Sequence, residues 1–154
     1  MATLASDALF SPGRIGPLEL KNRVVMAPMT TRRADAEGFV TDAGIAYYVA
    51  RAQGGVGLIT VEMASPERAG KHRNFELGLY DDRFLPGLTR LVAAIHAAGA
   101  KASIQLGHGG GHTRIDIAGD NQDGVIRRIP GAIEIERGLA IQRLDLVQPA
   151  NHRR

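Results

Sequence analysis

Gly57-Leu-Ile-Thr-Val-Glu62 is an almost unbroken apolar run rich in β-branched residues, and its reading decides the fold. Such a run suits a strand covered on both faces, as in a parallel sheet, because a half-wet antiparallel strand alternates apolar and polar positions. On its amino-terminal side, Gly54-Gly55 closes a helix that Thr41 or Asp42 can cap, with Ile45, Tyr48, Val49 and Ala52 as its apolar face. On its carboxyl side, Asp81 and Asp82 can cap a second helix spaced as Phe84, Leu85, Leu88, Leu91, Val92 and Ile95. Pro86 is tolerated in the first turn of that helix and Gly99 ends it. Further out, Val24-Val25-Met26 is a short strand that must stop near Ala27, because Pro28 has no N–H to give to a ladder. Lys101-Ala-Ser-Ile-Gln-Leu106 is a third strand-like run, broken by Gly107-His-Gly-Gly-Gly111. Leu9 to Leu20 alternates around Gly and Pro turn signals and reads as a β-hairpin.

The expected order is therefore hairpin, β, α, β, α, β, which places the chain in the α/β class with a parallel sheet. In such folds ligands sit at the carboxyl ends of the strands. Those ends carry Ala27-Pro28-Met29-Thr30, then Glu62-Met63-Ala64, then Gln105 and the His108–His112 loop. The groups are poor in ionisable nucleophiles and rich in small, amide, hydroxyl and thioether groups. That inventory suits a flat, hydrogen-bonding heteroaromatic ligand better than it suits hydrolysis.

Composition narrows the alternatives. The 154 residues are 44% hydrophobic and 23% charged, near globular averages. The absence of cysteine excludes a disulfide scaffold and any thiolate metal site. The net charge of +3 arises from 19 basic and 16 acidic residues that are interspersed, with basic pairs in place of a stripe. A solvated surface is expected, and no nucleic-acid partner. Apolar stretches such as Leu91–Ile95 are far too short to cross a bilayer, and Met1 to Phe10 has no secretory pattern, so a cytoplasmic protein without membrane association is expected.

Sharper motifs are weaker than they look. His108-Gly-Gly-Gly111 after a strand resembles an oxyanion-hole loop of α/β hydrolases, but the chain has no Gly-x-Ser-x-Gly elbow. His108 and His112 are four apart, but the glycines between them oppose a helix and leave no metal pair. Gly54-Gly-Val-Gly57 precedes a strand, so it is a helix stop and tight turn, not a dinucleotide fingerprint. His72 and His96 stand alone and read as surface or packing residues.

The ordered set of segments carries a resemblance. Leu9-Phe-Ser-Pro12, Ile15-Gly, Leu20-Lys-Asn-Arg23, Val24-Val-Met-Ala-Pro-Met-Thr30, Gly54-Gly-Val-Gly-Leu-Ile59, Val61-Glu62, Leu79-Tyr-Asp81 and Ile104-Gln-Leu-Gly-His-Gly-Gly110 follow one another. In this order they resemble the amino-terminal part of the Old Yellow Enzyme family, or NADH:flavin oxidoreductases, including the branch similar to 2,4-dienoyl-CoA reductase. The resemblance implies a TIM (β/α)8 barrel holding FMN, with NAD(P)H reducing the flavin and the flavin reducing a small-molecule substrate with an activated alkene, an enone or enoyl thioester. It implies that Ala27, Pro28, Met29 and Thr30 line the flavin, that Thr30 lies near the ring and tunes its potential, and that Met63 contacts the ring where relatives usually have a small residue. It further implies that Gln105 bonds the pyrimidine edge, a role to which a carboxamide, with one donor and one acceptor face, is well matched.

Two departures are expected to matter: Gly111 stands where the family usually has Arg, and Arg32 where some branches have an aromatic residue. The family's substrate-binding His pair has no counterpart here, so no catalytic residue is assigned. The resemblance covers about residues 9–118, within an expected domain of residues 1–118, as a hairpin plus about three β/α units of the eight in a barrel that needs roughly 250 residues. Residues 119–154 are expected to be an unmatched tail, from a frameshift or truncation, in which Gly131–Glu136 and Leu139–Val147 form an antiparallel pair or a frayed helix. A partial barrel has two open edges that invite self-association. A non-catalytic half-barrel binding module is the alternative to an enzyme.

Overall fold

The computed structural model describes residues 8–110. The expectations for Gly111, His112 and residues 119–154 lie outside them. The chain opens with an antiparallel hairpin, β1 (Gly13–Ile15) and β2 (Leu18–Leu20), in which Gly13 pairs with Leu20. The sheet that follows is parallel throughout: β3 (Val25–Met26), α1 (Asp42–Gln53), β4 (Leu58–Ser65), β5 (Leu77–Gly78), α2 (Leu85–Ala97) and β6 (Lys101–Leu106).

The helices form for the reasons their sequences give. Thr41, in extended backbone, accepts the Gly44 amide at 3.1 Å on its hydroxyl and caps α1. Gly55, at φ +99°, turns the chain out of the helix. The buried line along α1 is Gly44, Tyr48 and Ala52, with Ile45 packed beside it and Val49 off the core. Asp81 caps a single 3₁₀ turn, Asp82–Phe84, which feeds directly into α2. Phe84 is thereby buried at the helix entrance, while Leu85, placed on the apolar face by spacing, is 52% exposed. Leu91 and Ile95 supply the buried stripe of α2.

β4 is the centre of the sheet. Leu58 pairs with Val25 of β3 and also with Lys101 of β6, so these two strands lie on opposite edges of β4. Ala64 pairs with both Leu77 and Leu106, which puts β5 on the β3 edge. Spatial order thus follows chain order, β3–β4–β6, without the reversal of a doubly wound sheet. Both helices pack on one face of the sheet, α1 on β4 and α2 on β6, and against each other. There Ile59, Val61, Ala64, Tyr48, Leu91 and Ile95 make the core. On the other face Ser103 donates to Thr60 at 2.9 Å across the β4–β6 pair. Helices on one side, sequential parallel strands and a polar opposite face describe an arc of a (β/α)8 barrel that does not close among the described residues.

One expectation is corrected. The central strand does not stop at Glu62 but runs to Ser65. Val61 and Ala64 both lie in the helix-facing core although three positions separate them, so the alternation slips within Glu62–Met63 and a register shift results. The strand tolerates a carboxylate at this point because the fold supplies its hydrogen bonds.

Asn22 locks the entry to the sheet: its amide donates to Gly55 O at 2.8 Å and its carbonyl accepts the Val24 amide at 3.1 Å. A Cβ at Gly57 would lie 2.6 Å from Asn22 Oδ1 and 2.8 Å from its backbone oxygen. Gly57→Ala is therefore expected to destabilise the fold by about 1–3 kcal/mol, the usual range for overpacking. Urea unfolding should show a lowered midpoint with an unchanged slope.

Candidate functional site

Side chains at the carboxyl ends of parallel strands share one rim of the sheet, and the sequence-predicted residues lie along it. β3 ends at Met26, so Ala27-Pro28-Met29-Thr30 leaves the sheet from that rim; Ala27, Met29 and Thr30 are exposed and Pro28 is half-buried. Val61 pairs with Ile104 and Ala64 with Leu106, so Gln105 stands opposite the bulged pair Glu62–Met63. Met63 and Gln105 are thus at one level on adjacent strands, both half-buried, and residues 27–30 emerge on the other edge of β4. A Cβ on Gly107 would lie 1.9 Å from Met63 Sδ, so the thioether occupies space that only glycine leaves at that position. Among the described residues, the Gln105 carboxamide and the Met29 and Thr30 amides have no hydrogen-bond partner.

What fixes the 27–31 segment against β4 is a residue to which sequence reasoning gave no role. Glu62 is 2% exposed, and its carboxylate accepts the Thr31 amide at 2.7 Å, the Thr31 hydroxyl and the Arg32 amide at 3.3 Å. Tyr48 completes the cluster from α1: its hydroxyl donates to Glu62 Oε1 at 3.4 Å and accepts the Glu62 amide at 2.9 Å. Burial raises the Tyr48 pKa far above its ordinary value, so the phenol stays a donor at every working pH. Arg32 sits at φ 55° and Phe75 at φ 63°, both in the left-handed region, and the Arg32 guanidinium lies 6.0 Å from the Phe75 ring centroid. Backbone strain of this kind gathers at sites where surrounding contacts hold it; here the contact holding Arg32 is the Glu62 carboxylate. The sequence signal was a lone acid closing an apolar run.

In the glycine loop after β6 the Gly109 and Gly110 amides, two donors an oxyanion hole would use, are already engaged. Gly109 N donates to Gly70 O at 2.7 Å and Gly110 N to His108 Nδ1 at 2.9 Å. With Nδ1 accepting, His108 carries its proton on Nε2 and donates to Glu67 Oε2 at 3.1 Å. Among the described residues no group of three or more His, Asp or Glu side chains could hold a metal.

Beneath the rim, Glu76 is 1% exposed; Oε2 accepts the His72 amide at 3.2 Å and Oε1 has no partner among the described residues. Burial raises its pKa, with repulsion from Glu62 adding and the His72 and Arg73 amides and the Lys71 charge opposing. The folded state therefore holds this proton to higher pH than the unfolded chain, which releases it near pH ~4.3. Stability is lost as pH rises from that value through the raised one. Glu76→Gln is expected to be more stable than the parent at neutral pH, with the advantage shrinking below pH ~4. Urea midpoints at the two pH values check this; a difference independent of pH contradicts it.

Comparison with known proteins agrees with this fold. The sequence profile described as the NADH:flavin oxidoreductase / NADH oxidase family matches residues 8–139, which reaches beyond the motif-bearing part. An NADH oxidase of Thermoanaerobacter brockii is 46% identical over 106 residues, 68% of this chain and 16% of that protein. An NADPH dehydrogenase of Listeria monocytogenes serotype 4a is 44% identical over 103 residues, 66% of this chain and 30% of that protein. Among solved structures, the Old Yellow Enzyme homologue of Zymomonas mobilis superposes with TM-score 0.67 at 29% identity, over 72% of this chain and 31% of its own. Morphinone reductase superposes with TM-score 0.68 at 29% identity, over 80% and 32%. The chain spans a third or less of the length of each of these relatives. No described helix is long and apolar enough to cross a membrane.

Proposed function

The chain belongs to the NADH:flavin oxidoreductase / NADH oxidase family, and on that premise we propose that its rim is the flavin-facing part of an FMN-dependent, NAD(P)H-consuming oxidoreductase. The observation that carries this reading is the convergence of Ala27–Thr30, Met63 and Gln105 on one rim, with a half-buried carboxamide left unpaired among the described residues. The residues fit an isoalloxazine ring. Gln105 offers an acceptor and a donor to a ring edge presenting N3–H and O2. Met63 gives a polarisable apolar contact. The 27–30 backbone would flank the ring, and the Thr30 hydroxyl would set the polarity beside it and so the ease of reduction. Glu62 holds that segment at its distance from β4 without touching the ring.

FMN held there would supply hydride transfer from NAD(P)H to an activated alkene, an enone or enoyl thioester, whose second carbon takes a proton. The proposed flavin-facing residues all lie before residue 118, in or just after β3, β4 and β6. The rest of the barrel has no counterpart among the described residues, so binding by ring contacts alone is expected to be weak. Equilibrium dialysis of the purified chain with riboflavin, which presents the ring without a phosphate, should show binding that is lost on gel filtration, with no NADPH-dependent enone reduction when FMN is added. Absence of binding at equilibrium contradicts the reading. Turnover by the chain alone would instead show that copies associate through the open edges of the sheet to complete the site.

A further inference from the structure

A cavity that shares no lining residue with the flavin-facing set lies between the segment after β3 and the one joining β4 to α2. It measures about 390 Å³, within the range of small-molecule sites, and Phe39, Arg68, Lys71, Tyr80, Arg83 and Phe84 line it together with Glu37 and Asn74. Lys71 is 5% exposed, yet its ammonium makes one long contact, to the Glu37 backbone oxygen at 3.5 Å. Among the described residues no carboxylate oxygen lies within 4.0 Å of it; burial lowers its pKa, the Glu76, Asp35 and Glu37 charges act on it from farther off, and its three donors have only that one long contact. The Arg68 guanidinium has no ion pair or hydrogen bond among the described residues, and Asn74 has no side-chain partner. Arg83 pairs only with the exposed side of Asp81, at 3.0 Å.

The opposite wall is aromatic and stiff. Phe84 is 3% exposed and fixed between Phe39, at 4.6 Å between centroids, and Tyr80, at 4.9 Å. The Tyr80 hydroxyl donates to Glu37 O at 3.2 Å, which fixes the plane of its ring. Phe39 and Tyr80 are only half-buried, so each keeps surface that a ligand can cover.

We propose that this cleft is a binding site for a phosphate monoester that carries a planar ring, with the phosphate held by Arg68, Lys71 and Arg83 and the ring laid on Tyr80 and Phe39. A phosphate presents enough acceptor oxygens to meet an ammonium and two guanidinium forks at once, where a single carboxylate would leave one cation unpaired. None of the lining residues belongs to the flavin-facing set, so the two readings stand or fall separately.

Adenosine 5′-monophosphate and adenosine are the probes, followed by equilibrium dialysis at fixed ionic strength. The phosphate should bind saturably and at least tenfold more tightly than the nucleoside. Lys71 is buried and its replacement can disturb the fold, so the exposed pair carries the test: Arg68→Ala with Arg83→Ala should weaken adenosine monophosphate at least tenfold with unchanged circular dichroism. Arg14→Ala, on the distant hairpin, should leave affinity unchanged. Equal binding of nucleoside and nucleotide, full affinity in the Arg68/Arg83 variant, or an equal loss in the Arg14 variant each overturns the proposal. Binding of riboflavin, which has a ring but no phosphate, should be untouched by the Arg68/Arg83 changes.

Discussion

Glu62→Ala is expected to destabilise the protein by about 3–5 kcal/mol, a large share of the roughly 5–15 kcal/mol that holds a domain folded. The carboxylate is 2% exposed and takes hydrogen bonds from the Thr31 and Arg32 amides, the Thr31 hydroxyl and Tyr48. Each bond to a charged group is worth roughly 1.5–3 kcal/mol, and truncation leaves the donors without water to replace it. The sum is not additive, because Thr31 and Tyr48 share the same two oxygens. Glu62→Gln keeps one acceptor and sets an amide against donors, so it should fall between alanine and the parent. Tyr48→Phe, which removes one bridging hydroxyl, should cost about 1–2 kcal/mol. Trypsin offers a local readout beside urea unfolding: cleavage after Arg32 and Arg33 should accelerate sharply in Glu62→Ala under native conditions, because the pin on that segment is gone. A parent-like cleavage rate would mean that Glu62 does not hold it.

Gln105→Leu is expected to act the other way round, sparing the fold and removing the ligand. Its carboxamide is half-buried and has no partner among the described residues, so an apolar side chain of similar volume leaves nothing newly unsatisfied. Stability should change by less than about 1.5 kcal/mol. Affinity for the flavin ring should drop at least tenfold, because a donor and an acceptor to the ring edge vanish together and leave its polar atoms desolvated. The split between the two readouts is the diagnostic. A purely structural role for Gln105 predicts a loss of stability, and a role in ring recognition predicts a loss of binding.

Much of this architecture was legible in the chain. The run from Gly57, the Thr41 cap, the glycine stops and Pro28 fixed the β-α-β-α-β order, because each is a local signal with a local cause. The strand Lys101–Leu106 and the short strand ending at Met26 appear where periodicity and proline placed them. What local signals cannot carry is compensation between distant residues. The extension of β4 through Glu62 depends on Thr31 and Tyr48, which sequence alone does not bring to it. The two-residue strand at Leu77–Gly78 exists only because the end of β4 offers it a partner, and Leu85 is exposed because a 3₁₀ turn, not the helix, buries Phe84. At the rim, the residues that reach it could be read from strand ends, whereas the acid that positions them could not. The cavity lined by Arg68, Lys71 and Arg83 was invisible for the same reason: its cations, Tyr80 and Phe84 come from the segment joining β4 to α2, and Phe39 reaches it from the distant segment after β3.

The central claim is that the carboxyl rim of β3, β4 and β6 recognises a flavin ring. A fluorescence titration of riboflavin with the purified chain tests it most directly, since this probe presents the ring without a phosphate. Saturable quenching is expected, weakened at least tenfold in Gln105→Leu and unchanged in the Arg68/Arg83 variant. Absence of saturable quenching, or quenching equal in the parent and Gln105→Leu, would contradict it.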